Sequence, residues 1–151
     1  MKNDWKRLAV SGSHAIACAA LGLSLAACDH ASPSGPTPPS GGQTYVLSYE
    51  SFATSVEPVL SDLGCDNLNC HGGGIRGTFQ LSPPNAKDPH YDFNQACMQV
   101  TPADPKNSPL LMKPLAEECG GDGHGGGAFF FSFEDPNYIA LFQWVDSGVF
   151  E

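Results

Sequence analysis

Two cysteines and a histidine stand together in Cys65-Asp66-Asn67-Leu68-Asn69-Cys70-His71. Two thiols followed at once by an imidazole can hold a haem. Each thiol can form a thioether with one vinyl group, and an imidazole beside the second thiol falls under the iron. The usual spacing for that attachment is C-x-x-C-H, whereas here four residues separate the thiols. The vinyl groups lie a fixed distance apart, so Asp66 to Asn69 are expected to bulge outwards. The same residue types also fit a disulfide or a metal-ligand pair.

Such a loop needs elements to hold it. Phe52, Val56, Val59, Leu60 and Leu63 recur at helical spacing just before it, with Pro58 interrupting and Gly64 closing. Gly72 to Pro89 reads as loop, and Asp92 to Val100 as a short helix. Ser108-Pro109 is an N-cap and N1 pair ahead of Leu110, Leu111 and Leu115, with Pro114 limiting that helix. Gly120 to Gly127 is a second glycine-rich loop, with His124 at its centre. Asp135 and Pro136 start the last helix, Tyr138, Leu141, Phe142 and Val145 line one face, and Gly148 stops it. With 17 Gly and 13 Pro in 151 residues, the expectation is one mainly α domain of three to five short helices and long Gly/Pro-rich loops. No continuous sheet and no internal repeat is indicated.

The N-terminus reads as a targeting segment. Lys2, Lys6 and Arg7 precede an apolar, Ala-rich run from Ala15 to Ala27, too short for a membrane span. Leu25-Ala26-Ala27-Cys28 resembles the bacterial lipobox, which implies cleavage after residue 27 and a lipid on Cys28. Residues 28–44 then form a Pro/Gly/Ser tether, and the folded domain spans 45–151. This places the protein in the cell envelope, on the periplasmic side or at the cell surface, anchored to a bacterial membrane through lipidated Cys28. Cys18 leaves with the signal. Cys97 and Cys119 remain as an even pair in an oxidising compartment, for which a disulfide is the default. Two disulfides, Cys65–Cys70 and Cys97–Cys119, satisfy the parity equally well.

The whole chain carries a net charge of −9. Removing residues 1–27 takes Lys2, Lys6, Arg7 and Asp4 and leaves 4 basic and 15 acidic residues, a balance of −11. Nucleic acid is therefore not expected as a partner; an acidic surface of this kind would favour a basic docking protein, and it equally fits plain solubility. Catalytic triads, phosphate loops and paired catalytic carboxylates have no convincing candidates. Gly72-Gly-Gly-Ile-Arg-Gly77 lacks the Lys and Ser/Thr of a P-loop. Asp66, Glu117, Glu118 and Asp122 lack the calcium-loop spacing and read as solvated carboxylates.

Five strings occur in order: Val56-Glu-Pro58-Val-Leu60, Cys70-His71-Gly72, Ser108-Pro-Leu110-Leu-Met-Lys113-Pro114-Leu115, His124-Gly-Gly-Gly127 and Trp144-Val-Asp-Ser-Gly148. From about Tyr45 to Glu151 the chain resembles the small cytochrome c-type domains of bacterial lipoproteins and planctomycete-type cytochrome c modules. The resemblance implies a cytochrome c-like fold whose first and last helices cross. It also implies one covalent haem c on Cys65 and Cys70, and electron transfer to a redox partner protein rather than enzymatic turnover. His71 would be the proximal iron ligand. For the sixth position the candidates are His124, Met112, Met98 and His90. His124 is preferred, because its glycines let backbone pass close to a flat cofactor. Met112 is the runner-up, Met98 reads as core and His90 as surface. Phe129, Phe130, Phe131, Phe133 and Trp144 are expected as core and pocket walls. The competing readings are a disulfide-stabilised, non-haem binding or structural lipoprotein, and a zinc site of Cys65, Cys70, His71 and His124.

Overall fold

A computed structural model describes residues 42–74 and 77–151. The signal segment 1–27, Cys28 and the tether up to residue 41 lie outside the described residues. The described chain is mainly α.

The first helical rod has three parts: α1 (Tyr49–Ser51), a π-helical turn (Phe52–Val56) and α2 (Glu57–Asp62). Ser48 caps it, its hydroxyl accepting from the Ser51 amide at 3.1 Å. The π turn follows from Pro58. Proline has no N–H to return to the carbonyl four residues back, and here the Glu57 amide reaches the Phe52 carbonyl instead. The expected interruption is thus absorbed as one widened turn, and the helix runs on. Gly64, at φ +70°, ends the rod directly before Cys65.

The second helix, α3, spans Pro89–Cys97 and not Asp92–Val100. Asp88 and Pro89 supply the cap and first helical residue, the Asp88 carboxylate accepting from the Tyr91 amide at 3.1 Å. Because the helix stops at Cys97, Met98 swings outwards and is 62 % exposed, against the expectation of core. Helix α4 is one turn, Pro109–Met112. Ser108 precedes it but makes no side-chain cap. Its buried hydroxyl accepts from the Thr101 amide at 2.9 Å.

Helix α5 (Pro136–Asp146) starts as expected, with the Asp135 carboxylate accepting from the Asn137 and Tyr138 amides at 2.8 and 3.3 Å. Its buried face is Tyr138, Leu141, Trp144 and Val145. Phe142 falls at the edge of that stripe and is only half-buried, with Trp144 taking the central place. The Trp144 ring packs on Phe52 at 5.3 Å between centroids, and its N–H donates to the Ser48 carbonyl at 3.0 Å. First and last helices therefore share one core, in which Phe52, Val56, Trp144 and Val145 are at most 1 % exposed.

The segment before the rod and the one after α5 pair as a two-stranded antiparallel ribbon, β1 (Tyr45–Val46) with β2 (Val149–Phe150), Tyr45 opposite Phe150. Gly148 is required at this corner. A Cβ there would collide with the Tyr45 ring, whose hydroxyl donates to the Val145 carbonyl at 2.8 Å.

Candidate functional site

Between the rod and α4 lies a cavity of about 350 Å³. Its walls are Leu60, Leu63, Phe79, Leu110, Phe129 and Phe130, an apolar lining of the kind that holds an organic cofactor. Three candidate residues open onto it: Cys65, His71 and His124. The His71 and His124 rings lie side by side on it, with centroids 5.9 Å apart and planes within 10° of parallel. They come from loops 53 positions apart in sequence.

Each imidazole is oriented by a backbone carbonyl. His71 Nδ1 lies 2.8 Å from the Phe79 carbonyl oxygen, and His124 Nδ1 lies 3.0 Å from that of Gly127. A carbonyl oxygen can only accept, so each Nδ1 carries the proton. In the neutral ring that leaves the Nε2 lone pair of both histidines free to bind a metal.

The thiol loop is a compact ring, not an open bulge. The Cys70 amide donates to the Asn67 carbonyl at 2.8 Å, and the His71 amide to the Cys65 carbonyl at 2.9 Å. The Gly72 amide also reaches the Asn67 carbonyl, at 3.0 Å. The Gly72 backbone lies directly over the Asp66 carbonyl, so that any Cβ there would clash. Leu68, at 63 % exposed, takes the outward position expected of the extra residues. Asp66 does not. It is buried and points inwards, a correction to its reading as a solvated carboxylate.

Cys65 lines the cavity, and burial pushes its thiol pKa up to about 11, with help from the neighbouring Asp66 and Cys70. Cys70 is half-buried and outside the cavity lining. Cys65, Cys70 and Cys97 are all free thiols. Neither Cys65–Cys70 nor the expected Cys97–Cys119 disulfide is formed. Cys97 sits at the C-terminal end of α3, half-buried against the core.

The second histidine loop is anchored at both ends on the last residue of α4 and the segment that follows it. The Asp122 amide donates to the Met112 carbonyl at 2.9 Å, and the Phe130 amide to the Pro114 carbonyl at 3.0 Å. Gly121 packs so closely on the Leu115 carbonyl that no side chain fits. The Lys113 ammonium adds an ion pair to Asp122 at 3.3 Å.

The remaining sixth-ligand candidates lie elsewhere. Met112 lines a different groove, with Leu115, Tyr138 and Phe142. His90 stacks on Tyr49 at 3.9 Å. Of the expected aromatic walls, Phe129 and Phe130 line the cavity and Trp144 is core. Phe131 is 66 % exposed, because it alternates with Phe130, whose backbone bridges to Leu115 and turns its ring inwards.

One feature escaped the sequence reading: Lys87, which binds Glu57, Asp66 and Asp92 at once. The signal available was scarcity. Lys87 is one of few cations in an acidic chain, set between Asp88 and a run of small residues.

No protein-family model, curated protein or solved structure matches this chain.

Proposed function

We propose that the protein is a single-haem c-type electron carrier with a small cytochrome c-like fold, tethered to a bacterial membrane by lipid on Cys28. The observation that carries this reading is the pair of near-parallel imidazoles, each with Nδ1 tied to a carbonyl. Two imidazoles that share one metal ion from opposite sides stand roughly 6 Å apart between ring centres, since each ligating nitrogen lies about 2 Å from the metal. The separation here is 5.9 Å. The apolar cavity between them, with Cys65 at its wall, supports a flat organic ligand over a bare ion.

In this reading His71 and His124 would hold the iron, and Cys65 and Cys70 would supply the two sulfurs that tether the haem. Cys70 would have to turn towards the cavity for this, and the exposed Asn67–Asn69 segment is where the loop can give. When bound, haem supplies a reversible one-electron couple. The chain would contribute two neutral nitrogen ligands and an apolar wall that lowers the local dielectric. Those features favour relay over oxygen or peroxide chemistry, at a lower potential than a histidine–methionine pair gives. The acidic surface fits a basic redox partner.

The test is visible spectroscopy and intact mass of the full chain co-expressed with a cytochrome c maturation system. The expected result is the mass of one haem added, colour that survives acid-acetone extraction, and a low-spin spectrum that is lost in His124→Ala. A colourless chain with unmodified Cys65 and Cys70 would overturn the reading. Zinc bound by colourless protein would point instead to a site built on the same two histidines.

A further inference from the structure

The Lys87 ammonium lies 2.5 Å from Glu57 Oε1, 2.9 Å from Asp92 Oδ2 and 3.3 Å from Asp66 Oδ2. The three carboxylates come from three separate elements: α2, α3 and the thiol loop. All three are nearly or fully buried. Asp92 is also bound by the Ser82 amide at 2.5 Å and the Ser82 hydroxyl at 2.7 Å. The Ser61 hydroxyl donates to Asp66 at 2.9 Å. Glu57 Oε2 has no hydrogen-bond partner among the described residues.

Stability is a poor reason for such a cluster. One cation does not neutralise three anions, and buried ionic groups commonly gain nothing over apolar packing of the same volume. The strain shows at Glu57, whose pKa burial raises despite the ammonium beside it. What the cluster does achieve is geometric. Lys87 is bonded to all three elements at once, and its partner Asp66 directly follows Cys65.

We propose that Lys87 is a positioning residue for the Cys65–His71 loop. Through Asp66 it pins the loop onto α2 and α3, which keeps Cys65 turned into the cavity and His71 beside His124. What the loop is held for rests on the electron-carrier reading; that it is held by Lys87 does not.

The test uses the haem-free full chain and amide hydrogen exchange. The reporters are the Cys70, His71 and Gly72 amides, all bonded within the loop. In Lys87→Met these should exchange about tenfold faster, as expected for easier local opening, while α5 amides change by less than about twofold. Lys87→Arg should restore the slow rate. Alkylation of Cys65 should rise in step in Lys87→Met, with Cys97 on α3 as the control. This rise has a clear origin, because losing a cation by itself makes the thiol less ionised and slower to react. If Lys87→Met does not fold, Asp66→Asn carries the same exchange measurement and leaves Lys87 paired with Glu57 and Asp92. Loop exchange that stays unchanged, or that rises together with α5, would overturn the proposal. Selective loop opening in a chain that never takes up haem would leave the positioning role standing and remove the electron-carrier reading. A haem-loaded protein with unchanged exchange would do the reverse.

Discussion

At Cys65 a single thiol reports on the whole site. In the haem-free protein its alkylation rate should reach half its plateau near pH 11, against about 9 for an ordinary thiol. The same shift has a stability consequence with a definite sign. The folded state keeps the proton that the unfolded state releases at lower pH. Stability from this group is therefore full below about pH 9 and is lost as pH rises towards 11. Urea midpoints measured across that window should fall, and Cys65→Ser should flatten the fall. If the proposed haem is bound, His124 allows a complementary test: His124→Met should then keep a six-coordinate spectrum and raise the midpoint potential, since thioether ligation favours the reduced iron. Met112→Leu should change neither spectrum nor potential, because Met112 lines a different groove. The motif residues were legible in sequence because they are chemical types at short spacing. Asp66 was misread for the opposite reason: its partners, Lys87 and Ser61, are brought to it by folding, and nothing local distinguishes a buried carboxylate from a solvated one.

Among the elements, helix positions were readable wherever the chain marks its own ends. Asp135-Pro136 opens α5 as read, and Gly64 closes the first rod. The start of α3 was missed because Asp88-Pro89 was counted as loop, although it is the same cap-and-proline pair. The short β1–β2 ribbon was illegible, since two-residue strands carry no periodicity. Two substitutions separate packing from loop geometry. Trp144→Ala removes the ring that joins α5 to the rod at Phe52, and should cost about 3–5 kcal/mol in urea unfolding. Gly72→Ala should cost less globally. On the proposed reading it should nonetheless abolish haem attachment in co-expression, because its Cβ would displace the Asp66 carbonyl and open the ring that presents His71. Circular dichroism of Gly72→Ala should stay near wild type while the attached-haem mass disappears.

For the molecule as a whole, charge decides how it meets others. An imbalance of −9 across the full chain, with Lys87 and Lys113 both tied to carboxylates, leaves a negative field that would suit a cationic partner. If the protein is the electron carrier proposed above, its exchange with a basic redox protein should slow at least tenfold between about 10 mM and 0.5 M salt, as the screening length falls from about 30 Å to under 8 Å. A rate flat across that range would show that apolar contact, with Phe131 and Leu68 as the exposed candidates, governs the encounter instead.

Thr44 and Glu151 exchange both of their backbone hydrogen bonds, at 2.8 and 2.9 Å. Residues paired in that way have Cα atoms about 5.5 Å apart, so the polypeptide enters and leaves this domain through one doorway. A unit built so is modular. It can be spliced into a surface loop of a host protein without forcing that loop apart, and its two ends can be sewn together and new ones cut elsewhere. Cutting at the exposed Pro84–Ala86 turn would then yield a protein with the same histidine pair and a new chain order.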